Sequence, residues 1–202
     1  MRASLRRTRR YRRIKRLLDV VFSSILLFFL ALPMIGIAVA VACSSRGGAI
    51  FRQLRVGRGG KVFTCYKFRT MYADAPHDCP TASLRDAERW ITPIGKFLRQ
   101  TSLDELPQLI NVLRGEMSLV GPRPLIPAER EVHEWRRRGG VDTVRPGMTG
   151  LAQINGRDRL EDREKARFDV RYAHRLGFWE DARIVRKTFS RLLRGADRRA
   201  VR

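Results

Sequence analysis

Twenty-four residues without a single charge, Val20 to Cys43, constrain this chain more than any other feature. As a straight helix the run is about 36 Å long, enough to cross a hydrocarbon core of about 30 Å. It is too long, and too poorly followed by a small-residue cleavage site, for a secretory signal. The simplest reading is one spanning helix. The flanks favour another. Residues 1–16 carry nine Lys/Arg and no acid. After the run come Arg46, Arg52, Arg55, Arg58, Lys61, Lys67 and Arg69, with no acid before Asp74. Basic flanks belong on the cytoplasmic side, and a re-entrant helix satisfies both at once. Pro33 lies mid-run, where it removes a backbone hydrogen bond and can break the helix. Both readings remain open at this point, with the re-entrant one preferred.

Charge enters next, because the basic flanks are part of a larger excess. The chain has 42 basic and 20 acidic residues, a net of +22. Such an excess implies a polyanionic partner, either nucleic acid, an anionic lipid surface or phosphorylated small molecules. Most of it is Arg, which suits bidentate phosphate contacts. A nucleic-acid partner is disfavoured, since neither a helix-turn-helix signal nor an aromatic stacking platform is present. Cys43, Cys65 and Cys79, even with His77, lack paired zinc-ligand spacing. They read as reduced thiols of a cytosol-facing domain.

Four regions follow: a basic arm at 1–16, a membrane re-entrant helix at 17–45, a cytoplasmic catalytic domain at 46–194 and a basic tail at 195–202. The fold class is α+β and mainly helical. Residues 51–69 read as a β-hairpin around Gly57, Gly59 and Gly60. Residues 72–89 read as a loop with a short helix. Helices are expected at about 94–101, 127–138 and 161–175. A last helix at 179–194 is basic and amphipathic, with Ala182, Val185, Phe189 and Leu192 on one stripe. Such a helix can lie in a membrane interface or pack on its own domain.

The sharpest local signal is RQTSLDELPQLIN at 99–111. Ser102 with Glu105 has capping-box spacing, so a helix is expected from Leu103, with Pro107 tolerated in its first turn. Leu103, Leu106, Ile110 and Leu113 form an apolar stripe; Asp104, Gln108 and Asn111 share another face. Acids in a first turn often do nothing but complement the helix dipole. The same dipole and free N–H groups favour an ionised Asp104, as a carboxylate nucleophile or metal ligand requires, beside an anion site. Pro122 and Pro124 fix the backbone around Arg123. Arg145 and Arg157 bound a Gly-rich loop, and Lys67 and Arg69 close the hairpin. Two carboxylates facing constrained cations suit phosphoryl transfer assisted by Mg²⁺.

KFRTM at 67–71 with Asp74-Ala75, TSLDELPQLINVLRGEMSLVGPRPL at 101–125 and RPGMTGLAQINGR at 145–157 resemble the bacterial sugar transferase family, the monotopic polyprenyl-phosphate phosphoglycosyl transferases. The resemblance runs from about Leu17 to about Leu193. It implies transfer of a sugar-1-phosphate from a UDP-sugar to polyprenyl (undecaprenyl) phosphate, with release of UMP. It also implies a covalent aspartyl-phosphosugar intermediate in a ping-pong scheme with Mg²⁺. By the resemblance Asp104 is the nucleophile, and Glu105 acts through the metal and local hydrogen bonds. Lys67, Arg69, Arg99, Arg123, Arg145 and Arg157 would bind phosphates or substrate, and Pro33 marks the kink of the re-entrant helix. The implied setting is the cytoplasmic face of the inner membrane, at the first membrane step of exopolysaccharide or glycoconjugate synthesis, ahead of downstream glycosyltransferases. Longer members carry a further multi-helix membrane region, so this sequence reads as a minimal catalytic unit. Two rivals use the same residues differently: a hydrolase passing the phosphosugar to water, and an inactive scaffold.

Overall fold

The computed structural model describes residues 2–76, 87–156 and 159–194. Its first element, α1 (Arg2–Ser44), contains the whole apolar run. Helical backbone continues through Pro33, so the element is not interrupted there, although a proline can bend a helix without ending it. Proline withholds only its own N–H, and the remaining bonds of a long apolar helix hold the backbone on both sides.

α1 does not stand apart from the rest of the chain. Near its start, Tyr11 and Lys15 each donate to Asp181 Oδ2 at 2.6 Å, and Arg16 donates to the carbonyls of Val112 and Leu113. Asp19 is buried and accepts from Ser118 Oγ and Leu119 N, both at 3.0 Å. Tyr11, Lys15 and Arg16 of the basic arm are therefore docked on protein. Near the other end, Val41 is buried with Phe68 and Leu98, and Met34, Ile37 and Ala38 pack around them. Between these anchors the helix exposes Phe22, Ile25, Phe28, Phe29, Leu32 and Ile35, with Phe28, Phe29 and Leu32 more than 70% accessible.

The hairpin forms as expected. β1 (Ile50–Val56) pairs antiparallel with β2 (Val62–Phe68), in register from Ile50 with Phe68 to Val56 with Val62. Gly59 and Gly60 take positive φ of 68° and 75° in the 3-10 turn between the strands, a conformation open to glycine at little cost. A second 3-10 turn, Ala87–Trp90, precedes α2 (Pro93–Thr101). Thr92 caps α2 by accepting from Gly95 N at 3.0 Å.

The next expectation fails. Ser102 makes no side-chain cap; it adopts a left-handed conformation (φ 58°) as the C-cap of α2. Leu103–Glu105 is a 3-10 turn, and α3 starts only at Gln108 and ends at Arg114. Pro107 has no N–H to offer Leu103 O, which takes the N–H of Leu106 instead, closing the tighter turn. The polar face is buried as well, although Leu103 and Leu106 of the apolar stripe do pack against the core beside α1. Gln108 and Asn111 are buried with Leu109 and Val112, while Ile110 of the expected apolar stripe is exposed.

β3 (Ser118–Val120) lies parallel to β4 (Gly147–Thr149). Between them runs α4 (Arg130–Arg138), and beyond them α5 (Leu151–Ile154), α6 (Asp162–His174) and α7 (Phe178–Leu193). Here a capping box does form, between Glu161 and Glu164 at the start of α6. Val120, Val141, Val144, Leu151, Tyr172 and Ile184 make the core beneath these helices. On α7 it is Ile184 that is buried, whereas Val185, Phe189 and Leu192 of the expected stripe stay exposed. The stripe therefore does not pack on its own domain.

Candidate active site

Three segments far apart in sequence meet at Glu105. Lys67 Nζ, at the end of β2, is 2.7 Å from Glu105 Oε1. Arg123 Nη1 is 3.5 Å from the same oxygen. Lys67 and Glu105 are well covered, at 19% and 13% accessible, while the Arg123 side chain is 35% accessible. Asp104, beside Glu105 in the 3-10 turn, is buried at 8%. The site is thus two adjacent carboxylates, one held by two cations.

Each cation is positioned by its backbone. Asn111 on α3 ties down β2: its Nδ2 donates to Thr64 O at 2.7 Å, and its Oδ1 accepts from Tyr66 N at 3.1 Å. That fixes the strand one residue before Lys67. A third contact, from Nδ2 to Glu116 Oε2 at 2.7 Å, orients the amide. Arg123 sits between buried Pro122 and Pro124. The backbones around it are close-packed: a Cβ on Gly147 would lie 2.0 Å from Gly121 N, and one on Gly150 would lie 2.1 Å from Gly121 O. The glycines of the 145–150 loop therefore permit a close approach of two backbone segments of this chain.

The other expected phosphate binders make further contacts of their own. Arg99, in the last turn of α2, donates from Nε to Thr70 Oγ1 at 2.8 Å. Arg69 lies against the Gly47 backbone. Arg145 is engaged elsewhere: its Nε donates to Gly115 O at 2.8 Å, at the C-terminus of α3. It lines a pocket with Arg12, Lys15, Asp19, Arg58 and Tyr172. Burial, then the neighbouring Arg16 and Arg58, push its pKa down. Arg157, like His77 and Cys79, lies outside the described residues.

Sequence reading missed Arg55, which donates to Pro124 O at 2.9 Å and to Gln53 Oε1 at 2.5 Å. Burial, then repulsion from Arg123, lowers its pKa to about 10. It remains a cation at neutral pH, beneath the segment that carries Arg123. Its only advance signal was an Arg inside an otherwise β-rich run.

Among the described residues no cluster of three or more His, Cys, Asp or Glu forms an all-protein metal cage. Two carboxylates do suit a hard cation such as Mg²⁺, which commonly takes one or two from protein and the rest from substrate phosphates and water.

The sequence model of a family described as bacterial sugar transferase matches residues 10–195. The chain belongs to the bacterial sugar transferase family. Among its relatives in this family is the UDP-glucose:undecaprenyl-phosphate glucose-1-phosphate transferase of Klebsiella pneumoniae, 42% identical over 178 residues, covering 85% of this chain and 38% of that protein. The undecaprenyl-phosphate galactose phosphotransferase of Salmonella typhimurium is 38% identical over 198 residues, covering 90% of this chain and 40% of its own length. A shorter relative, the UDP-glucose:undecaprenyl-phosphate glucose-1-phosphate transferase of Caulobacter vibrioides, is 40% identical over 188 residues, covering 89% and 69%. The chain thus spans about two fifths of the length of the first two relatives. The match contains Lys67, Asp104, Glu105 and Arg123, the residues gathered at the site.

Proposed function

We propose that this chain transfers a sugar-1-phosphate from a UDP-sugar to undecaprenyl phosphate, releasing UMP. The observation that carries the reading is the buried Asp104 beside a Glu105 held by Lys67 and Arg123, in a member of this family. In the first step an Asp104 carboxylate oxygen attacks the sugar-bearing phosphorus of the UDP-sugar. The bond from that phosphorus to the bridging oxygen breaks, and UMP leaves with the oxygen. In the second step a phosphate oxygen of the lipid attacks the same phosphorus, and the Asp104 carboxylate departs. No water is consumed. Lys67 and Arg123 offset charge on the phosphate oxygens, and Glu105 keeps the two cations at their spacing. Mg²⁺ bound by the two carboxylates would supply further neutralisation of the diphosphate.

The membrane reading rests on α1. Asp19 and Val41 bound the apolar segment and are both buried against the same protein body. A helix crossing the bilayer would put these ends on opposite sides, out of reach of one soluble domain. Their shared attachment therefore supports a segment that enters and leaves by one leaflet. The basic flanks favour the cytoplasmic face of the inner membrane for that leaflet.

Purified protein given a radiolabelled UDP-sugar, undecaprenyl phosphate and Mg²⁺ should release UMP and label the lipid. Asp104→Asn should abolish both, and undiminished activity in that variant would sink the mechanism. Release of free sugar phosphate without labelled lipid would favour a hydrolase. For topology, single cysteines at positions 5 and 45 should both react only from the cytoplasmic side.

A further inference from the structure

Four successive carbonyls of the segment that carries Arg123 each accept a hydrogen bond from another part of the chain. Pro122 O accepts from Gly147 N at 2.8 Å, and Leu125 O from Val56 N at 2.9 Å. Pro124 O takes its bond from Arg55, and Arg123 O takes one from Arg136 Nη1 at 2.8 Å. Arg136, on α4, is buried, and its Nη2 pairs with Asp169 of α6, which is 0% accessible. One buried guanidinium thus reaches in two directions, to a carboxylate and to the backbone of a site residue.

A buried ion pair is a costly way to hold two helices together, since an apolar pair of similar volume commonly does so as well or better. What an apolar pair cannot do is donate to the Arg123 carbonyl. Prolines on both sides already restrict this backbone. Fixing the carbonyl fixes the peptide plane that follows Arg123, and with it the direction in which the side chain leaves toward Glu105.

We propose that Arg136, held by Asp169, is a positioning residue for Arg123 and sets where its guanidinium meets the substrate phosphates. This inference rests on the transferase reading above. Arg136 itself touches neither Asp104 nor Glu105 chemistry; it acts through the Arg123 backbone.

The test is a double-mutant cycle on the full-length protein, read as UMP release, with melting temperature and amide hydrogen exchange followed in parallel. Arg136→Met should lower turnover by about 100-fold, the scale of a small misplacement at a reacting centre. In an Arg123→Ala background the same change should cost less than about twofold more, because its effect passes through Arg123. Amides in residues 118–126 should exchange faster in Arg136→Met, with the rest of the domain unchanged. Equal losses in both backgrounds, or unchanged exchange in 118–126, would overturn the proposal. Arg136→Lys guards against a variant that does not fold. It keeps the charge opposite Asp169 but lacks the planar fork that serves two acceptors. It should melt like the wild type yet lose about tenfold in turnover; full activity would count against the proposal. If wild-type protein releases UMP from no UDP-sugar, the transferase reading fails, while hydrogen exchange still decides the positioning claim.

Discussion

Lys67 and Glu105, 38 residues apart, form a 2.7 Å ion pair, and the glutamate oxygen they share also faces Arg123 at 3.5 Å. A single carboxylate therefore sets the spacing of two cations that come from different elements. Glu105→Gln keeps the shape and removes the charge, leaving Lys67 and Arg123 to repel one another. Turnover should fall by about 100-fold or more, the scale of losing one preorganised electrostatic group. Steady-state UMP release checks this, with melting temperature as a control for folding. A Gln variant with an unaltered rate would remove Glu105 from the machinery.

The anchoring of α1 gives a stability prediction. Asp181 accepts from Tyr11 at 2.6 Å, Lys15 at 2.6 Å and Tyr172 at 2.8 Å. Burial and the adjacent carboxylate push both tyrosine pKa values up, so the phenols stay protonated as donors. Asp181→Ala leaves all three donors without this acceptor and should cost about 3 kcal/mol. Denaturant unfolding in detergent measures it. A loss below about 1 kcal/mol would mean the arm is held by its other contacts.

Asp169 makes a pH prediction with a definite sign. Burial pushes its carboxyl up to about 6, against the opposing pull of Arg136. An unfolded aspartate titrates near 3.9, about two units lower. The folded state thus binds the proton more tightly, and the stabilisation is fully present below about pH 4. It is lost as pH rises to about 6, roughly 3 kcal/mol in all. Comparing wild type with Asp169→Asn cancels the other carboxylates. Their stability difference should move against the wild type between pH 4 and about 6.5 and stay level above. A difference that moves the other way would mean that Arg136, not burial, dominates this carboxyl.

Parts of this fold were legible in the sequence because they depend on neighbours along the chain. The hairpin follows from two β-rich runs around Gly59 and Gly60, and α2, α4, α6 and α7 begin within a few residues of their expected positions. The error at Ser102 is of another kind. Capping-box spacing recurs without the box, and the lost Pro107 donor settled the turn. The buried polar face of α3 shows a deeper limit. Periodicity tells which residues share a face, but Asn111 is buried because its partners, Thr64 O and Tyr66 N, lie more than 40 residues away. The site was legible as types rather than places. Lys67, Glu105 and Arg123 do come together, whereas Arg145, equally conspicuous in its loop, caps α3 instead. Arg55 showed only as an arginine inside a β-rich run and Arg136 not at all, since an arginine that holds a carbonyl looks in sequence like a surface charge.

Ile184 of α7 faces the core with 0% accessibility, while Val185 at 37%, Phe189 at 62% and Leu192 at 39% form an exposed stripe. Trp179 at 80% and Leu193 at 87% are more exposed still. Arg183, Arg186 and Arg194 on the same helix are exposed and supply positive charge. An apolar stripe beside cations is the pattern of a helix lying at the headgroup boundary of an anionic bilayer. Protein retaining Trp179 as its sole tryptophan should have its fluorescence quenched in vesicles of anionic lipid with brominated acyl chains. Phe189→Glu should reduce that quenching without lowering the melting temperature, because the side chain it replaces is mostly exposed. Equal quenching in both proteins would leave α7 off the membrane and α1 as the attachment. Full quenching that persists in neutral vesicles would make apolar burial, rather than charge, the dominant contribution.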